Sequence, residues 1–151
     1  MRGQRPIAAR IRPAGVCLSV TLLAIGLLPD AVTLATGNGT KTYAGLPCLL
    51  LGVFSGEPSW WANPFLAASW VFLLSRRPRA AAVSSVVAGL LAASFLLPSG
   101  RRLLIDATGA KGPVVAVGAG FWCWLASCFV PAAAAWGTLW FPAGSRTQAG
   151  R

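Results

Sequence analysis

The sequence predicts an all-α polytopic membrane helix bundle of about four transmembrane helices plus one short interfacial or re-entrant helix. Three observations predict it. Apolar residues make up 56% of the 151-residue chain and charged residues 11%, whereas soluble domains carry roughly 45–50% and roughly 25%. The apolar residues also gather into long runs. Finally, arginines cluster at the ends of those runs: Arg2, Arg5, Arg10 and Arg12, then Arg76, Arg77 and Arg79, then Arg101 and Arg102. Flanking charge of this kind orients membrane proteins. It is not a basic face interleaved with base-stacking aromatics, so the net charge of +10 does not point to nucleic acid.

Residues 1–13 form a basic N-terminus in which Pro6 and Pro13 discourage a regular helix. The first span covers 14–35. Its run VCLSVTLLAIGLL behind a charged stretch has the form of a signal peptide. No A-x-A cleavage site follows closely and more apolar runs lie downstream, so the segment reads as a retained helix. Cys17 stands at the start of the run instead of after it, which excludes a lipoprotein anchor. TGNGTKTYAG (residues 36–45) reads as a loop, and Asn38-Gly39-Thr40 within it matches the glycosylation acceptor pattern. The apolar stretch 46–55 is too short to span and forms the interfacial helix.

The second span is 60–75. It opens with Trp60-Trp61, suited to a headgroup region. Asn63-Pro64 follows as a helix cap and first helical position. About 16 residues give about 24 Å, short of the roughly 30 Å hydrocarbon core. A non-crossing hairpin over 46–75 would instead leave three spans. Arg76-Arg77-Pro78-Arg79 is a basic turn. The third span is 80–97, stopped by Pro98-Ser99-Gly100. The fourth is 113–141, with Pro131 expected to kink it, and 142–151 is a polar tail. The bundle as a whole thus covers 14–141.

With four spans, nine of the 13 Lys and Arg residues fall on the side of the termini and four on the other. The positive-inside rule then puts both termini in the cytoplasm. Asp30, Glu57 and Asp106 fall outside.

In the third span Ala81, Ser85, Gly89 and Ala93 recur every four residues, with Ala80, Ser84, Ala88 and Ala92 beside them. Such a stripe lets another backbone approach closely. It makes this span the central helix of the bundle or, alternatively, the seam of a homo-oligomer.

Little here carries chemistry. The chain has no histidine, no paired carboxylates close in sequence and no C-x-x-C, so no catalytic residue, metal site or cofactor is expected. Cys17, Cys48, Cys123 and Cys128 read as small apolar residues. A transporter would be expected to hold a buried carboxylate within a span; the chain has almost no such group, Asp30 sitting near the edge of the first span beside Pro29. The one polar cluster worth naming is the outer one: Glu57, Trp60, Trp61 and Asn63, with Asp106.

The segment from Trp60-Trp61-Ala62-Asn63-Pro64 through the turn Arg76–Arg79 to Ser94-Phe95-Leu96 resembles small bacterial inner-membrane proteins of unknown function. In these, a W-x-A-N-P start precedes two short spans about a basic turn. The resemblance covers roughly residues 45–130 and implies location without activity. The expectation is a non-enzymatic interaction or assembly component whose partners are the lipid bilayer and a second copy or another membrane protein. The alternative is a small transporter or channel subunit.

Overall fold

Two prolines decide where the apolar runs stop being helical. In the structure, a computed structural model that describes residues 7–37, 39–97, 102–104 and 111–140, helix α1 spans Ile7–Gly26. Pro29 has no N–H to continue the ladder and biases Leu28 away from helical geometry. The chain leaves the turn extended as strand β1, Asp30–Thr36. Likewise, the run starting at Pro113 is first a strand. β4 covers Lys111–Val117 and contains Val114, Val115 and Val117, whose branched side chains favour a pleated surface. Helix α5, Ala119–Trp140, begins only after Gly118.

Strand β2, Gly39–Ala44, begins three positions after Thr36 and pairs antiparallel with β1. Strand β3 is Arg102–Leu104. All pairings are antiparallel, in the order β2-β1-β4-β3. In the central pair Val32 faces Val117 and Leu34 faces Val114. The sheet therefore joins the two long helices: α1 runs into β1, and β4 runs into α5. Gly26 and Gly120 permit this junction. A methyl on Gly120 would lie 2.7 Å from the Gly26 carbonyl oxygen, and one on Gly26 would lie 2.9 Å from that of Gly120.

The remaining elements form the other side. Helix α2, Gly45–Ser55, ends at Gly56 in the left-handed conformation (φ 69°). A 3-10 turn, Pro58–Trp61, leads into α3, Ala62–Leu74. The end of α3 is a Schellman motif. Arg76 sits at φ 60°, Arg77 N–H donates to Phe72 (2.9 Å) and Arg76 N–H to Leu73 (3.4 Å). Pro78 then opens α4, Pro78–Ser94.

The fold is thus not an all-α bundle of four spans. It is a helical layer capped at one end by an antiparallel sheet. Two helices are long and apolar enough to cross a membrane: α1 over Ala8–Gly26 and α5 over Ala119–Trp140. Their 20 and 22 residues correspond to about 30 and 33 Å. The segments expected to span at 60–75 and 80–97 are helices of 13 and 17 residues, shorter than the roughly 20 residues a crossing needs. The expectation failed because β-branched runs after a proline (Val32-Thr33 and Val114-Val115) count as apolar length while preferring strand. Pro13, for its part, lies inside α1. It and Ala9, the carbonyl it leaves unpaired, are both on the exposed side.

Helix α5 packs against α1, α3 and α4, and α3 and α4 form a hairpin. The hub is therefore α5, and not the 80–97 segment. The α1–α5 seam is built from small residues. The buried positions of α1 are Ala8, Gly15, Ser19 and Gly26, met by Gly120, Ser127 and Ala134 of α5. The first turns of α1 and the last turns of α5 meet at the end that carries the Arg76–Arg79 turn, where Leu73, Ala81, Ala134 and Ala135 pack with Ile11. At the opposite end Ala31, Val32, Leu34, Phe95, Val114 and Phe121 form a core beneath the sheet.

Candidate functional site

An apolar cavity of about 120 Å³ lies at the sheet end. Its walls come from Leu23 of α1 and Leu27 in the turn after it, from β1 (Ala31, Val32, Leu34), from α2 (Pro47, Cys48, Leu49) and from Phe95, Phe121 and Trp124. Glu57, Ser59, Trp60 and Asn63 complete it.

Three side-chain hydrogen bonds tie these elements together. The indole Nε1–H of Trp124 on α5 donates to Asn63 Oδ1 (2.9 Å). Asn63 Nδ2 donates to the Trp60 carbonyl (3.0 Å). Trp60 Nε1–H donates to the Leu49 carbonyl on α2 (2.8 Å). The chain of bonds runs from α5 through α3 and the 3-10 turn to α2. It satisfies the polar edges of two tryptophans and leaves their apolar faces for packing. Phe121 stands 5.5 Å from Phe95 and 5.7 Å from Trp124, ring centre to ring centre.

The structure brings Glu57, Trp60 and Asn63 together on this cavity. It separates Trp61, which is exposed and meets Trp60 edge to face at 6.0 Å. Asp106 lies outside the described residues, as do residues 1–6, Asn38, Arg101 and the tail 142–151. Asn63 does not cap α3, which begins one residue earlier; its side chain turns back to Trp60 and across to Trp124. The sequence reading missed Trp124, Phe121 and Cys48 as partners in this place. Nothing in their local spacing signals it, because they reach the cavity through long-range packing.

No protein-family model, curated protein or solved structure matches this chain.

The stripe on α4 is internal. Ala81, Ser85 and Gly89 are buried and Ala93 is half-buried, while Val83, Val86 and Leu90 face out. Gly89 seats the ring of Phe129, which a methyl there would strike. Ser85 meets α5 at its proline. Pro131 has no N–H for the Ser127 carbonyl, and Ser19 Oγ of α1 donates to that carbonyl instead (2.7 Å). One residue on, Ser85 Oγ donates to the Cys128 carbonyl (2.5 Å) and accepts from Ala132 N–H (2.9 Å). It thus stands between the two ends of a helical hydrogen bond. Trp70 Nε1–H of α3 donates to Ser19 Oγ (2.9 Å). All four packed helices therefore converge on the break in α5, as expected where neighbouring side chains repair a proline-interrupted ladder.

The four cysteines are free thiols. Burial pushes the Cys48 thiol up from the ordinary 9.0 to about 11. Among the described residues no group of three or more His, Cys, Asp or Glu could hold a metal ion.

Proposed function

We propose that this protein is an integral membrane protein of a bacterial inner membrane, acting without chemistry as an interaction or assembly component. The observation that carries this reading is a large exposed apolar surface around helices whose contacts bury polar side chains. Ser19, Ser69, Ser85 and Ser127 are 0% exposed, whereas Val83 is 66%, Leu90 63% and Trp136 57% exposed. Soluble monomers seldom expose so many large apolar side chains together. In lipid, polar side chains belong between helices and apolar ones outside. Only 17% of the apolar window of α1 and 39% of that of α5 is buried, unlike the core helix of a soluble domain.

In this reading α1 and α5 cross the bilayer as a pair. The end with Arg10 and Arg12 lies in the cytoplasm and the sheet lies opposite, the shorter α3–α4 hairpin entering from the sheet side with its basic turn directed toward the cytoplasmic face. The resemblance around Trp60–Pro64 supports the bacterial setting. The interior favours interaction over transport. Ser69, Ser84 and Ser85 all donate to backbone carbonyls (Leu66, Phe65 and Cys128), and Ala, Leu and Cys fill the space around them. The exposed apolar face of α2, with Leu50 and Phe54, is surface for a partner or for the headgroup layer.

The test is a pair of periplasm-dependent phosphatase fusions. A fusion after Gly39 is expected to be active and one after Arg151 inactive. Activity after Arg151, or release of the chain from membranes by alkaline carbonate, would overturn the reading.

A further inference from the structure

We propose that the cavity at the sheet end is a binding site for a small neutral hydrophobe, the size of one aromatic ring or a short alkyl segment. Size is the first argument. The cavity measures about 120 Å³, of the same order as the about 150 Å³ of an apolar cavity that takes up benzene. The second argument is the state of the polar groups in its wall. A volume of this kind has room for about four waters, each needing two to four polar partners. The indole N–H groups of Trp60 and Trp124 are spent on Leu49 and Asn63, and Asn63 spends one donor and one acceptor on Trp60 and Trp124. Tyr43 and Glu57 are engaged as well. The rest of the wall is mostly aliphatic and aromatic: Leu23, Leu27, Val32, Leu34, Phe95 and Phe121. Such a wall is a poor host for water and a good one for carbon.

The third argument is construction. The ring faces of Phe95, Phe121 and Trp124 are fixed against one another. The α2 wall is fixed to the opposite side by the Trp60–Leu49 bond and by Gly52, whose missing side chain admits the Trp60 ring. The cavity is therefore held open by structure on both sides, and a ligand need not order it. An occupant would gain by withdrawing its apolar surface from water.

Two sources share this chemistry: a free small hydrophobe and the end of a lipid acyl chain. The protein is reconstituted in phosphatidylcholine nanodiscs and photolabelled in two arms. One arm uses a phenyl diazirine and the other a phosphatidylcholine with a diazirine near the acyl terminus. Labelled residues are located by mass spectrometry. Labelling of the segment from Tyr43 to Trp60 by the phenyl probe alone assigns a free hydrophobe; labelling there by the lipid probe assigns an acyl chain. Benzene at about ten times its dissociation constant should lower cavity labelling about tenfold and leave the outer face of α5, at Trp136 and Trp140, unchanged. Cys48→Phe, which places a ring in the cavity, should abolish it in the same way. Should that variant fail to fold, the benzene competition on the unaltered chain decides. Cavity labelling no stronger than at Trp136, or labelling that benzene does not displace, overturns the proposal. Lipid-probe labelling at Trp136 reports separately on the membrane reading, so the two can fail independently.

Discussion

Replacing Ser19 with alanine tests how α5 tolerates Pro131. The substitution removes one hydroxyl and orphans two buried groups: the Ser127 carbonyl, which Pro131 cannot serve, and the Trp70 indole N–H. Each orphan costs about 1–3 kcal/mol in a soluble interior. Hydrogen bonds between helices in lipid average nearer 0.6 kcal/mol, because the unfolded chain also finds partners there. Between these bounds Ser19→Ala is expected to destabilise by about 2 kcal/mol. Pro131→Ala supplies the missing N–H, so in that background the Ser127 carbonyl keeps a partner and only the indole is orphaned. The cost of Ser19→Ala should then fall to about 1 kcal/mol, a coupling of about 1 kcal/mol. The assay is equilibrium unfolding in mixed micelles with increasing dodecyl sulfate, run on the four corners of the cycle. Ser69→Ala serves as control, since Ser69 donates only to Leu66 in its own helix (2.6 Å). Equal costs for Ser19→Ala in both backgrounds, or a Ser69→Ala cost as large, would refute the reasoning.

Three further outcomes are expected. Gly89→Leu drives a side chain into the Phe129 ring and should cost about 1–3 kcal/mol, read as lowered yield and melting in detergent; wild-type behaviour would place Gly89 at a looser contact. Arg76 holds a left-handed conformation (φ 60°) that costs a side chain roughly 1–2 kcal/mol. Arg76→Gly should therefore raise the unfolding free energy by up to about 1 kcal/mol, measured in the same micelles. Burial raises the Cys48 thiol from 9.0 to about 11, so at pH 8 its thiolate fraction is about a hundredfold below that of an ordinary cysteine, and peptide-resolved alkylation by iodoacetamide should be slower by a similar factor. The sign for stability follows: the buried neutral thiol stabilises fully below pH 9, and that contribution declines as pH rises from about 9 toward 11.

Much of the helical layer could be read from residue types. Gly56, Pro58, the Arg76–Pro78 turn and the α4 stripe mark boundaries and a packing face by local chemistry. The sheet was harder. Val32-Thr33 and Val114-Val115 sit inside hydropathy windows that sum apolar length and ignore branching. A pairing such as Val32 with Val117 joins distant segments and leaves no periodic trace. The Gly37-Asn38 dipeptide between Thr-rich flanks was a hairpin signal that the loop reading passed over. The seam of α1 was also missed. Gly15, Ser19 and Gly26 follow no single four-residue spacing, and their partners lie at the far end of the chain. At the cavity, Glu57, Trp60 and Asn63 were legible as a cluster because the chain brings them together locally. Trp124 and Phe121 were not, because tertiary packing alone delivers them.

The sheet also imposes an order on biogenesis. The α3–α4 hairpin and the β1–β2 hairpin close between near neighbours in the chain and can form as soon as they leave the ribosome. The second edge of β1 is different. Its partner β4 is made after every helix but α5. Until then β1 carries an unpaired edge of the sort that recruits stray strands, and α1 lacks the helix that covers its small-residue seam. Pairings between distant segments are slow because a large loop must close first. The last quarter of the chain therefore acts as a clasp: its arrival closes the sheet edge and the helix seam in one event.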